Sequence, residues 1–92
     1  MQLKDKITKE RLEKEFSVTK KALEKVKIIV PEDSGLYEKA LENLEMAKRY
    51  YSDAEHFKKE EDFASAFGAL NYAFGLIDAG IKLGVFSEHN LY

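Results

Sequence analysis

The stretch whose reading decides the fold runs from residue 62 to residue 84, DFASAFGALNYAFGLIDAGIKLG. Asp62 is a residue type that caps helix N-termini, and Gly84 one that closes helix C-termini in a left-handed conformation. Between them Phe63, Phe67, Leu70, Phe74, Ile77 and Ile81 recur every three or four residues and form one helical face, which Tyr72, Leu76, Ala79 and Leu83 widen. Of residues 63–86, sixteen have apolar side chains. The segment is therefore expected to be the central, most buried helix, with Val85 or Phe86 folding back on its last turn. A membrane span is not expected, because Asn71, Asp78 and Lys82 interrupt a stretch barely long enough to cross.

Upstream, the polar break Glu60-Glu61-Asp62 separates this helix from a second segment. That one starts near Asp33 or Ser34, both good capping types, although Tyr37 stands where a Glu would complete a capping box. Tyr37, Ala40, Leu41, Leu44, Ala47, Tyr51 and Ala54 make its stripe, with Tyr50 and Phe57 on the shoulder, and Lys58-Lys59 suit its C-terminus. Pro31-Glu-Asp-Ser-Gly35 is the one Pro/Gly cluster, and before it Leu12, Phe16, Leu23, Val26 and Val30 form a further stripe with Thr19 filling the missing turn. Leu3 and Ile7 extend this stripe or fray. The alternation of a strand is not read anywhere. Helices are expected near 5–30, 34–60 and 62–84, with Leu23, Leu44, Leu70, Phe74 and Ile77 in the core and a short tail over 85–92. Connections of a few residues force antiparallel neighbours, so the expected fold is all-α, an up-down-up antiparallel three-helix bundle forming one domain over 1–92.

Composition fits one folded domain. In 92 residues, 45% are hydrophobic and 35% charged, which excludes an intrinsically disordered chain. No cysteine is present, so disulfides, thiolate nucleophiles and Cys-ligated zinc are excluded. Residues 1–15 are charged throughout and lack the apolar run of a signal peptide, so none is expected there. The net charge of −2 argues against general nucleic-acid binding. Residues 1–27 hold nine Lys/Arg against five Asp/Glu, and residues 28–92 six against twelve. This reads as a basic first helix beside an acidic second one, the alternative being a basic patch that faces a partner.

The third helix carries an unusual minority stripe: Ala64, Gly68, Asn71, Gly75, Asp78 and Lys82. Glycine inside a helix costs about 1 kcal/mol relative to Ala, a cost easier to understand where another backbone or a ligand comes close. The stripe is accordingly taken as a candidate interaction face, most simply of a homodimer and otherwise for another protein. A small-ligand site beside Gly75 and Asp78, or a plain solvent edge, are the alternatives. Asp53-x-x-His56 with Glu60 puts three potential metal ligands on one helical face, but di-iron bundles need such an element twice. His89 is the sole other histidine, so no metal site and no cofactor are expected. Arg49 and His56 resemble the Arg-x(4–6)-His signature of helical ribonucleases of the HEPN type, which supplies a nuclease alternative. The segment from Phe57 to Ala73 resembles the turn of a tetratricopeptide repeat, though it is one residue too long and occurs once.

One resemblance extends further. Tyr51-Ser-Asp53-Ala54-Glu-His-Phe57, then Asp62-Phe-Ala-Ser-Ala66, then Leu70-Asn-Tyr72-Ala73-Phe-Gly75-Leu-Ile-Asp78-Ala79-Gly80-Ile-Lys-Leu83-Gly84 resembles the archaeal domain-of-unknown-function family 357. The likeness is specific over roughly residues 47–86. It implies an archaeal cytoplasmic helical protein and no assigned activity, so no catalytic residue carries over. The expected function is that of a non-catalytic helical interaction module that self-associates.

Overall fold

The computed structural model of the chain describes residues 7–87. Three helices follow in order: α1 from Lys9 to Lys25, α2 from Gly35 to Lys59 and α3 from Phe63 to Lys82. They pack as a three-helix bundle with α3 as the common partner, since α1 lies mainly against α3 and only lightly against α2. Glu13 near the start of α1 pairs with Lys58 at the end of α2, so these two helices run antiparallel. Leu12 and Phe16 share a buried cluster with Ala66 and Leu70, so α1 and α3 run the same way. The expected up-down-up arrangement is present.

The helix ends follow the capping chemistry. Thr8 accepts a hydrogen bond from the Arg11 amide at 3.1 Å and Asp62 one from the Ser65 amide at 3.2 Å. Ser34 begins α2 without a side-chain cap. Gly84, at φ +81°, ends α3 in a Schellman motif: its amide bonds to Ile81 and that of Val85 to Gly80, each at 3.0 Å. The turn between α2 and α3 repeats the motif, with Asp62 donating to the Phe57 carbonyl and Glu61 to that of Lys58. Here a glutamate, Glu61, takes the left-handed position at φ +62°.

The seam between α2 and α3 is made of small residues. The buried residues of α2 are Ala40, Ala47 and Ala54, and α3 buries Ala66, Ala73 and Gly80 together with Leu70 and Ile77. Both small sets recur every seven residues, the spacing that keeps one stripe facing a partner helix. Ala54 and Ala66 are equally far from the turn, as are Ala47 and Ala73, and Ala40 and Gly80. Two helices meeting through methyl groups and a glycine approach closely, and larger side chains are displaced to both shoulders of the contact.

This corrects the expected core. Leu70 and Ile77 are fully buried, but Leu23, Leu44 and Phe74 are only half-buried. Phe63, Phe67 and Ile81 likewise lie half-buried beside the seam, on the side that α1 covers with Leu12, Phe16 and Ala22, and the chain just after it with Val26. Arg11 lies over the Phe67 ring at 5.0 Å and Lys58 over Phe16 at 5.2 Å. Thr19 is buried where the two clusters meet, and its hydroxyl has no hydrogen-bond partner among the described residues. An unpaired buried hydroxyl costs about 1–3 kcal/mol. The lysines of α1 face solvent, and an ion pair between Glu13 and Lys58 joins α1 to α2.

Two further expectations change. The first helix ends at Lys25 and not near residue 30, and Val26 is already extended at φ −69°, ψ 140°. The segment Val26-Lys-Ile-Ile-Val30 is rich in β-branched residues, and its burial alternates: Val26, Ile28 and Val30 face inward, Lys27 and Ile29 outward. It pairs with the chain beyond α3, which the sequence reading placed in a tail over 85–92. Ile28 and Phe86 form an antiparallel bridge, the Ile29 amide donates to Val85 at 2.9 Å and the Ser87 amide to Lys27 at 2.8 Å. Val85 and Phe86 are buried in the core. The first residues of the predicted helix, at 5 and 6, with Leu3 and the tail beyond 87 including His89, lie outside the described residues.

Phe86 explains a glycine. A Cβ placed at Gly80 would collide with the Phe86 ring, whereas one placed at Gly68 or Gly75 would meet nothing within 4 Å. Gly80→Ala is expected to lower stability by about 1–3 kcal/mol through overpacking. Gly75→Ala is expected to raise it by about 0.5–1 kcal/mol through helix propensity. Urea unfolding of the two variants checks both, and shifts of the same sign would contradict the packing described.

Candidate interaction face

The hairpin of α2 and α3 has two shoulders, and α1 covers one. The helical period sends Leu36, Asn43, Met46 and Tyr50 of α2, and Tyr72, Leu76 and Leu83 of α3, to the other. Contacts agree with this placement. Tyr50 and Tyr72 stack across the seam with centroids 4.7 Å apart and planes 20° from parallel. Leu36 and Leu83 line one shallow hollow. No described helix covers this face, and its large apolar side chains are exposed: Leu83 by 74%, Tyr72 by 60%, Leu36 by 54% and Met46 by 36%. Isolated exposed apolar residues are ordinary, but a run of them along one side of a hairpin is the pattern of a contact surface.

The stripe singled out from the sequence lies next to this face. Ala64, Gly68, Asn71, Gly75 and Lys82 are exposed and Asp78 half-buried, about half a turn from the Ala66–Ala73–Gly80 seam. Asp78 and Lys82 pair with each other at 3.0 Å. Gly68 and Gly75 border the apolar face but have open space around them. The stripe read from the sequence thus borders the exposed apolar surface and does not include the Tyr50–Tyr72 stack. The stack was missed because Tyr50 was placed on a shoulder of α2 and Tyr72 in the buried face of α3. The signal that could have found it is the pair of small heptads, which fixes which way each helix faces.

The other motifs are dispersed on the surface. Arg49 and His56 lie on the outward side of α2, both exposed. Arg49 lines a shallow hollow with Met46, Tyr50, Ser52 and Asp53, while His56 Nε2 lies 3.3 Å from Glu60. Among the described residues no group of three or more His, Asp or Glu side chains is placed to hold a metal ion, Asp53, His56 and Glu60 included. No helix among them is long and apolar enough to cross a membrane.

Where α1 meets α2, Tyr51 packs edge-on against Phe16 at 5.6 Å. Burial pushes its phenol above the ordinary value of 10.0, and the carboxylates of Glu55, Glu24 and Glu13 push it the same way. The folded state thus favours the neutral phenol. The stability linked to it is fully present below the unfolded pKa and is lost as pH rises through the folded one. Wild type is expected to lose stability above about pH 10 more steeply than Tyr51→Phe. Urea midpoints measured across that range check this, and parallel curves would contradict it.

No curated protein and no solved structure matches the chain. The profile of the family described as "Protein of unknown function (DUF357)" matches residues 15–86. That span takes in all of α2 and α3, most of α1 and the Phe86 that locks onto Gly80. The chain belongs to the DUF357 family.

Proposed function

We propose that this protein is a non-catalytic helical interaction module that docks through the uncovered shoulder of its α2–α3 hairpin. The observation that carries the reading is the exposed apolar run centred on the Tyr50–Tyr72 stack. Leu36, Met46, Tyr72 and Leu83 sit there, and the apolar residues of the neighbouring glycine stripe are only Ala64, Gly68 and Gly75. Self-association is the simplest form of such docking, because two-fold pairing is the commonest assembly and needs no second gene product. The surroundings are those of a contact surface and not of a reaction site. The hollows beside Arg49 are shallow, and the space at Gly75 is open. A cytoplasmic, archaeal setting is part of the same proposal and rests on the family resemblance.

Affinity capture from the native host tests the reading. Tyr72→Glu places a carboxylate in the apolar face and is expected to abolish binding of whatever the wild type retains, its own copies included, with helicity by circular dichroism unchanged. Gly75→Leu, beside the face, is expected to keep most of that binding. Equal retention by wild type and Tyr72→Glu would contradict the placement, and loss in Gly75→Leu alone would move the contact to the glycine stripe. Purified protein is expected to leave RNA intact. Cleavage that disappears in His56→Ala would replace the reading with a nuclease.

A further inference from the structure

We propose that the occupant of this face is a second copy of the chain, related by a two-fold axis that lies in the plane of the face and crosses α2 at Met46. The inference rests on the interaction-module reading and deepens it by naming the partner and its register.

The argument starts from charge. Lys39 and Asp53 each lie seven residues from Met46 on α2, one on either side, so all three share a stripe. Both charged residues are exposed, and neither has an ion-pair partner among the described residues. A two-fold axis at Met46 reverses the direction of the helix. It brings Lys39 of one copy level with Asp53 of the other, and it does so twice. The next charges outward obey the same symmetry. Glu42 stands four residues before Met46 and Arg49 three after, so the reversed helix sets Arg49 beside Glu42 of the second copy.

Apolar groups match under the same operation. An axis at that height crosses α3 near Phe74, which sets Tyr72 of one copy against Leu76 of the other. Lys39 and Asp53, and with them Glu42 and Arg49, are balanced about one point, so these four charges are complementary to their own reversed copy. A uniformly acidic or basic partner would meet repulsion from half of them.

Charge exchange tests the register, with sedimentation equilibrium as the readout. Wild type is expected to dimerise, more weakly as salt rises. Lys39→Asp and Asp53→Lys, both at exposed positions, each set like charges together and are expected to weaken the dimer about tenfold or more. The double variant Lys39→Asp/Asp53→Lys restores opposite charges at both contacts and is expected to dimerise again. An equimolar mixture of the two single variants is expected to form a one-to-one heterodimer. Circular dichroism confirms that every variant remains helical.

Three results would overturn the inference: a wild type that stays monomeric at high concentration, single variants that dimerise as wild type does, or a double variant that stays monomeric. A monomeric wild type whose captured partner is lost in Tyr72→Glu would remove the second copy and leave the interaction reading standing. Loss of both would remove both.

Discussion

The close approach of α2 and α3 through Ala40, Ala47 and Ala54 on one side and Ala66, Ala73 and Gly80 on the other is the contact on which the rest of the molecule depends. Small residues bury little area each, and at roughly 25 cal/mol per Å² of apolar surface they contribute little hydrophobic free energy alone. What they supply is proximity. Once the backbones are close, the aromatic and branched side chains of both helices have no room between them and must lie along the two shoulders. One shoulder is then roofed by α1, whose Leu12, Phe16 and Ala22 meet Leu70, Ile77 and their neighbours. The other keeps Met46, Tyr50, Tyr72 and Leu83 with no described helix above them. The exposed apolar face is thus a consequence of how the hairpin closes, and its position follows from the same heptads.

The end of the bundle away from the α2–α3 turn follows from the same constraint. Gly80 is the last small residue of the seam, and its missing side chain admits the Phe86 ring. To reach that position the chain reverses at Gly84 in a left-handed conformation and runs antiparallel to residues 27–29. The α1–α2 connection cannot be helical where it forms these hydrogen bonds. One glycine therefore accounts for the burial of Phe86 and the short antiparallel pairing, and with them for the early end of α1.

Much of this was legible in the sequence. The three helices, the caps at Asp62 and Gly84, and the burial of Leu70 and Ile77 came directly from periodicity and terminal chemistry, and α2 and α3 end within two residues of expectation. The errors share a physical origin. Large apolar residues were assumed to point at the core, so Phe63, Phe67 and Phe74 were read as the buried face of α3, when alanines hold that position. Residues 26–30 continue the helical stripe of α1 by spacing, and nothing local reveals that a segment almost sixty residues later will pair with them. The alternation Val26, Ile28, Val30 was present but short enough to be absorbed into a helix. The exposed apolar face was met only at its glycine edge for the same reason: with the seam assigned to the wrong residues, Tyr72 was turned inward and Tyr50 left on a shoulder.

The seam itself is tested most directly by urea unfolding of Ala73→Leu. Ala73 is fully buried at the middle of the contact, level with Ala47. A leucine there must push the two helices apart, and every layer above and below it with them. A loss of about 1–3 kcal/mol or more is predicted, even though leucine is a good helix former and more hydrophobic than alanine. A variant as stable as wild type, or more stable, would mean that the helices do not meet through their small residues, and the account of both shoulders would fall with that contact.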